Sequence, residues 1–285
     1  MPFADEDVLV VHGPTQALCP IVLDSPHSGF RWPLGFDAVV SPLDLRDAED
    51  CFIDELWRPA ADRGVPLLAA QFPRTWIDVN RHAGDIDLDL IEGGVWPHEH
   101  RPSGKARIGK ALIWRTLDDG RPIYARKLTV AEVAQRIDRF HRPYQEALAG
   151  LIDSAHRVHG RVVHLNCHSM NAVSGRMGEG GAGRPRADIV LGDRDGTTCA
   201  PALTALVRAF LSGRGYEVKV NDPFKGVELV RAFSNPDAGR HSLQVEVNKR
   251  LYLQDGRIER HGGFDRLQAD LMDLLEVIDQ GFARA

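Results

Sequence analysis

The sequence predicts an α/β protein, a three-layer α/β/α sandwich with a mixed central sheet, formed as a single domain over residues 1–285. Segments with strand character alternate along the chain with segments of helical periodicity, which is typical of this class. The length of 285 residues and a hydrophobic content of 43% are sufficient for one large core. Two strand-like runs end in a histidine within a serine-containing turn, and open α/β sheets carry their chemistry just past strand ends.

The first part of the chain is predicted to alternate strands and a helix before the pattern becomes irregular. Ile53, Leu56 and Trp57 recur at helical spacing and indicate a helix with one buried face. Between residues 85 and 126, proline and glycine interrupt the pattern, which favours loops. The elements predicted here are strands at 21–24, 65–70 and 76–79 and a helix at 44–63.

The second part begins with a long predicted helix over residues 129–158. Thr129 and Glu132 form a capping-box pattern at its start, Pro143 is expected to bend it, and Gly160 is a natural stop. The glycine- and arginine-rich segment 175–186 is predicted to be a loop, either a lid over a site or an ordinary solvated loop. The remaining predictions are strands at 162–170, 187–192, 216–220 and 242–248 and helices at 200–213 and 264–282.

Composition excludes several classes of partner. The formal net charge is −5 and charges of both signs are interspersed, which argues against a nucleic-acid or anionic-membrane surface. No apolar run is long enough to span a bilayer, and the acidic start lacks the pattern of a secretory signal, so a cytoplasmic location is expected. The four isolated cysteines suit free thiols in a reducing compartment: Cys19, Cys51, Cys167 and Cys199.

Two histidines at strand ends suggest a metal site assembled by the fold. His27 and His168 each follow an apolar strand, and zinc prefers imidazole nitrogen, carboxylate oxygen and thiolate. A third ligand is expected from the acidic stretch at the start of the next helix, where Asp50 is the candidate and Glu49 a rival. The structural alternatives are hydrogen-bonded histidines and acids that favour the first turn of a helix. The occurrence of both histidines in serine-containing turns favours the metal site.

A group of polar residues after the predicted strand at 76–79 suggests an anion pocket. The guanidinium of Arg74 or Arg81 matches a carboxylate in a bidentate manner, and Asn80 adds an amide donor. The alternative is a surface salt bridge between Arg81 and a nearby acid such as Asp85 or Asp87. Spacing alone does not decide between them.

Glu246 is a candidate general base. It lies in an alternating strand, and if Val245 and Val247 face the core then Glu246 faces the opposite side together with Gln244. A carboxylate placed there could take a proton from a water molecule activated by a metal ion. The alternative is a polar, solvent-facing side of the strand.

Four short segments in sequence order carry a resemblance to a known family. They are Asp24–Gly29, Trp76–Arg81, Asn166–Met170 and Glu246–Tyr252, with connecting motifs at 187–193 and 221–226. Together, over about residues 18–275, they resemble the N-formylglutamate amidohydrolase family. The resemblance implies a fold like that of zinc carboxypeptidases and metal-dependent hydrolysis of the formyl amide of N-formyl-L-glutamate, a step of histidine degradation.

The resemblance also implies roles for individual residues. The implied metal is Zn²⁺ or another divalent transition metal, and Asp50 must replace the carboxylate of an HxxE pair because Phe30 stands three residues after His27. Two further hypotheses are an amidohydrolase for another N-acyl amino acid or small peptide, and a metal- or ligand-binding protein without catalysis, against which Glu246 argues. The implied set is the metal ligands His27, Asp50 and His168, the catalytic residues Glu246 and Arg74, and the substrate-binding residues Asn80, Arg81 and Tyr252.

Overall fold

A seven-stranded mixed sheet lies at the centre of the protein. The structure is a computed structural model that describes residues 8–16, 18–175 and 181–283. In chain order the strands are β1 (Leu9–His12), β2 (Ile21–Ser25), β3 (Leu67–Ala70), β4 (Val162–Met170), β5 (Ile189–Gly192), β6 (Val218–Val220) and β7 (Arg240–Asn248). Their order across the sheet is β1-β3-β2-β4-β7-β5-β6. Strands β3, β2, β4 and β7 are parallel to one another, whereas β1 is antiparallel to β3 and β5 is antiparallel to β7. Four carboxyl ends therefore meet at one edge.

Helices cover both faces of the sheet, as the sequence predicts. They are α1 (Pro42–Arg46), α2 (Ile53–Trp57), α3 (Val130–Arg136), α4 (Arg142–His159), α5 (Pro201–Gly213), α6 (Glu228–Ala232) and α7 (Gly263–Ile278). Side chains of α2, α5 and α7 share one hydrophobic core with one face of the central strands. Those of α3, α4 and α6 belong to a second core on the other side. None of the helices in the described ranges combines the length and apolar character that crossing a membrane requires.

The central strands have one apolar face and one polar face. In β7, Leu243, Val245 and Val247 belong to the core shared with α5 and α7. Successive side chains of a strand point to opposite faces, so Gln244 and Glu246 lie on the other side, as predicted. The same alternation in β4 places His164, Asn166 and His168 on that side, opposite Val163, Leu165 and Cys167 of the core. All four cysteines are buried free thiols, in agreement with the sequence analysis.

Two predicted elements are wrong, and both errors fall near the carboxyl edge of the sheet. The helix predicted at 44–63 is broken between α1 and α2, where Phe52 adopts a left-handed φ of 62° and the Asp50 amide donates to the His27 carbonyl at 3.0 Å. Its last part, Arg58–Arg63, is a 3-10 helix. The predicted strand at 76–79 is a turn, in which the Asp78 amide donates to the Leu112 carbonyl at 2.7 Å. Tertiary hydrogen bonds override the local pattern at both places.

The other differences are smaller. The helix predicted at 129–158 is present, but a π-helical segment, Ile137–His141, separates α3 from α4 immediately before Pro143. Proline cannot donate the usual helical hydrogen bond, which explains the irregular turn at this point. Strand β1 and helix α6 were not predicted, because four- and five-residue elements carry too little periodicity. Of the predicted loop at 175–186, residues 176–180 lie outside the described part of the chain.

Candidate active site

A cavity of about 430 Å³ opens at the carboxyl ends of the parallel strands. His27 lies two residues after the end of β2, and the loop after β3 supplies Arg74 and Arg81. His168 and Glu246 are paired residues of β4 and β7, so their side chains leave the same face of adjacent strands. Gly29 is required behind this edge, because a Cβ there would collide with the backbone of Gln71 and Phe72.

Three predicted metal ligands converge on one point in this cavity. The Nδ1 atoms of His27 and His168 are 3.2 Å apart, and Asp50 Oδ2 lies 3.4 Å from the first and 2.9 Å from the second. A tetrahedral zinc ion with Zn–N bonds of ~2.05 Å requires ligand atoms about 3.3 Å apart. Within the described ranges, this trio is the only group of three or more His, Cys, Asp or Glu residues close enough to hold a metal ion.

The outer nitrogens of both imidazoles lie beside hydrogen-bond acceptors. His27 Nε2 lies 2.7 Å from Asp78 Oδ1, and His168 Nε2 lies 2.7 Å from Asn166 Oδ1. When a cation is bound, each Nε2 can therefore keep its proton while each Nδ1 gives its lone pair to the ion. Without an ion, a protonated Nδ1 donates to Asp50 Oδ2 instead. This donor set suits a cation, and its open side faces the cavity, as in catalytic rather than structural sites.

Asp50, and not Glu49, completes this group. Glu49 is paired with Arg46 at 2.9 Å. Asp50 Oδ1 accepts from the Ser169 hydroxyl at 3.2 Å, which directs Oδ2 toward the histidines. Burial alone would raise the pKa of Asp50, but hydrogen bonds with His168 and His27 hold that pKa well below its usual range.

Asp78 organises the site, although the sequence analysis assigned it no role. Its Oδ1 accepts from His27 and from the Asn80 amide, and its Oδ2 accepts from Arg74 Nη2 at 2.8 Å and lies 3.7 Å from Arg81 Nε. Burial opposes ionisation of Asp78, but Arg74 and His27 outweigh it and hold its pKa well below the ordinary value. The signal visible in the sequence was a carboxylate three residues before an arginine.

The structure changes the expected roles of two substrate-binding candidates. Asn80 Nδ2 donates to Asn166 Oδ1 at 3.4 Å and lies 3.1 Å from His168 Nε2, and Asn80 Oδ1 accepts from the Leu229 backbone amide at 2.9 Å, so the side-chain amide is engaged beside His168. Tyr252 is fully buried in the apolar core and donates to the Cys51 carbonyl at 3.0 Å. Tyr252 is not among the residues that line the cavity, so its predicted role in substrate binding gains no support from this geometry.

Glu246 is positioned as a buried carboxylate at the cavity wall. Burial raises its pKa to about 7, although His168 and Arg74 oppose the shift. Its Oε1 accepts from Gln244 Nε2 at 2.9 Å. Gln244 Oε1 is buried and has no hydrogen-bond partner among the described residues. An acceptor in this state costs about 1–3 kcal/mol unless a ligand satisfies it.

A buried polar network holds Asn166, the partner of His168, and no local sequence pattern indicated it. Asp24 Oδ1 accepts from Asn166 Nδ2 at 2.8 Å and lies 2.8 Å from His164 Nε2, and Asp24 Oδ2 accepts from the Tyr144 hydroxyl at 2.8 Å. The bond to Asp24 fixes the orientation of the Asn166 amide, which leaves its oxygen available to His168. The network consists of side chains from β2, β4 and α4, so only the fold brings them together.

We expect Tyr144→Phe to destabilise the protein by about 2 kcal/mol, because it leaves a buried carboxylate oxygen without its donor. Thermal and denaturant unfolding would measure this. Tyr216→Phe is the matched control, since Tyr216 is half-buried and Asp270, its acceptor, also accepts from Arg214. A loss no greater than that of the control would contradict the importance of the network.

Comparison with known proteins places these residues in a family. Residues 19–253 match the family model described as N-formylglutamate amidohydrolase. The chain is 26% identical over 253 residues to an N-formylglutamate deformylase of Pseudomonas aeruginosa, which covers 83% of both chains. It is 25% identical over 244 residues to the enzyme of that name from Pseudomonas putida, with 84% of each covered. The crystal structure of an N-formylglutamate amidohydrolase from Ralstonia eutropha JMP134 superposes with a TM-score of 0.90 at 45% identity, covering 98% of this chain and 99% of that one.

Proposed function

The chain belongs to the N-formylglutamate amidohydrolase family, and from this premise we propose that it hydrolyses N-formyl-L-glutamate to formate and L-glutamate with the help of a divalent metal ion. His27, Asp50 and His168 would hold the ion, and zinc suits this nitrogen and oxygen donor set best. We also propose that the fold is related to that of zinc carboxypeptidases. A place in histidine degradation stays a prediction.

The observation that carries the proposal is the position of Glu246 beside the three convergent ligand atoms. His168 and Glu246 are directly paired on adjacent strands, and strands of a sheet lie about 4.8 Å apart. A water molecule between Glu246 and the open side of the ligand trio would have a base and a cation as neighbours. A protein that only binds a metal has no need for a buried carboxylate in that place.

The reaction follows from these positions. When bound, the ion would supply Lewis-acid polarisation of the formyl carbonyl and would acidify a water molecule. Glu246 takes a proton from the attacking water, whose oxygen bonds to the formyl carbon. The carbon–nitrogen bond then breaks, and Glu246 returns the proton to the leaving amine. The guanidinium of Arg74, fixed by Asp78, contributes positive charge for the developing oxyanion.

The polar groups of the cavity wall match the substrate. N-formyl-L-glutamate has two carboxylates, one carbonyl and a single N–H. Arg74 Nε and Arg81 Nε are buried donors without a hydrogen-bond partner among the described residues and suit the acceptors, and Gln244 Oε1 suits the single donor. Cations also outnumber acids in the wall. The cationic residues are Arg74, Arg81, Lys105, Lys110, Arg186, Lys225 and Lys249, and the acids are Asp47, Asp50, Asp118 and Glu246.

We expect the purified protein, loaded with zinc, to release formate from N-formyl-L-glutamate. N-acetyl-L-glutamate should be hydrolysed more slowly, because one added methyl group must fit beside the ligand trio; such a group typically changes kcat/KM by about 10–200-fold. Formate and acetate can be measured by coupled assays on the same preparation. Faster hydrolysis of the acetyl compound would move the proposal to another N-acyl amino acid. If the protein hydrolysed neither compound, the proposal would be refuted.

A further inference from the structure

Two cations share one indole ring in the cavity wall. Arg74 Cζ and Lys110 Nζ each lie 5.0 Å from the ring centre of Trp114. The backbones of Lys110 and Trp114 form an antiparallel bridge, which places both side chains on the same side of the irregular segment. All three side chains line the cavity. We refer to Arg74, Lys110 and Trp114 as the Trp114 cluster.

The Trp114 cluster offers an anion both positive charge and unsatisfied hydrogen-bond donors. Lys110 is only 8% exposed, and burial together with Arg74 and Lys105 lowers the pKa of its ammonium group to about 8. Trp114 Nε1 and Arg74 Nε are buried donors without a hydrogen-bond partner among the described residues. One carboxylate could accept from both the Lys110 ammonium group and the Trp114 Nε1–H group, whereas Arg74 is held by Asp78.

The two cations mark the inner and outer ends of the cluster. Arg74 is bonded to Asp78 and feels the charges of Asp50 and Glu246, so it lies toward the ligand trio. Lys110 is paired instead with Asp118, a partly exposed carboxylate of the cavity wall. The part of a substrate that reacts at the ligand trio therefore lies nearer to Arg74, and the rest of the substrate extends outward toward Lys110.

We propose that Lys110 and the Trp114 Nε1–H group bind the side-chain carboxylate of the substrate, and that Asp118 forms an ion pair with Lys110 when no substrate is present. The proposal rests on the proposed function, since it names the group that selects an acidic N-formyl amino acid. Five bonds join the formyl carbon to the side-chain carboxyl carbon, a reach of about 6 Å. Arg81 is then left for the α-carboxylate.

The test compares N-formyl-L-glutamate with N-formyl-L-glutamine, which has the same shape and a neutral side chain. Lys110→Met should lower kcat/KM for the glutamate compound by about 10–100-fold, mainly through KM, because a charge-assisted contact is lost. The glutamine compound should be hydrolysed as by the wild type. Lys219→Met is the matched control, because Lys219 is an exposed lysine outside the cavity, paired with Asp222. It should change neither value.

Two other results would overturn the assignment. An equal decrease of kcat/KM for both compounds in Lys110→Met would show that Lys110 has only a structural role. Asp118→Asn should preserve or strengthen the preference for glutamate, since it removes the competing carboxylate; a loss of preference in this variant would also count against the subsite.

The proposed function can fail separately from the subsite. If the wild type hydrolyses neither compound, calorimetric binding of L-glutamate and L-glutamine replaces the kinetic comparison. A preference for L-glutamate that disappears in Lys110→Met would retain the subsite without the deformylase activity, and the absence of any preference would reject it.

Discussion

Glu246→Gln should reduce formate release by about 10³-fold while the protein retains its metal ion and its fold. General acid–base catalysis by a positioned side chain increases the rate by about 10²–10⁴-fold, and the amide of glutamine cannot accept a proton near neutral pH. Gln244 Nε2 would then face an amide in place of a carboxylate, a small change in packing. The decrease should appear in kcat rather than in KM, because Glu246 acts on the proton in the transition state and does not contribute to binding of the substrate in the ground state.

The control for this prediction is Glu217→Gln, which removes one negative charge from an exposed position. It should leave kcat unchanged. The pH profile adds a second readout: wild-type activity should fall as the pH decreases through the pKa of Glu246, because only the deprotonated form is a base. Burial puts that pKa near 7, and a bound cation can only lower it, so the acid limb should lie at or below pH 7. Substantial activity in the glutamine variant would refute the assignment of the base.

The sheet and the convergence of His27 and His168 could be predicted from the sequence because their signals are local. The alternation around Glu246 and the apolar runs before His27 and His168 define strand ends, and parallel strands bring such ends together. Asp50 lies beside the two histidines for a reason that the sequence did not show. The predicted continuous helix over 44–63 would have kept Asp50 in its second turn, whereas the break at Phe52 and the bond to the His27 carbonyl bring it to the histidines.

The residues behind the ligands could not be predicted, because their roles depend on contacts between distant segments. Asn166 bonds to Asp24, 142 positions away in the chain, and Asn80 reaches His168 over 88 positions. Lys110 and Trp114 lie in a segment without periodicity, so neither strand nor helix pattern indicated which of their side chains enter the cavity. Tyr252 shows the opposite case, in which a side chain with a polar tip near a motif belongs to the buried core.

Removal of the metal ion should abolish turnover, and zinc should restore it. Polarisation of the carbonyl by an ion supplies several kcal/mol, so chelation is expected to reduce formate release by about 10³-fold. His168→Asn should have the same effect without recovery, because it removes one of the two inner nitrogen atoms. Metal content measured by mass spectrometry should fall from about one ion per chain in the wild type to almost none in this variant.

A variant of Asp78 tests the support of His27 without removing any of the three ligand atoms. In Asp78→Asn, a neutral amide replaces the carboxylate that holds the Nε2 side of His27, so the imidazole is held less firmly with Nδ1 toward the ion. Zinc affinity should therefore weaken by about 10–100-fold. His98→Asn, at an exposed histidine, should retain both metal and activity. Full activity of His168→Asn, or of the wild type after verified removal of all metal, would leave Glu246 and Arg74 without a cation partner. The hydrolysis would then have to proceed by a mechanism that these side chains alone support.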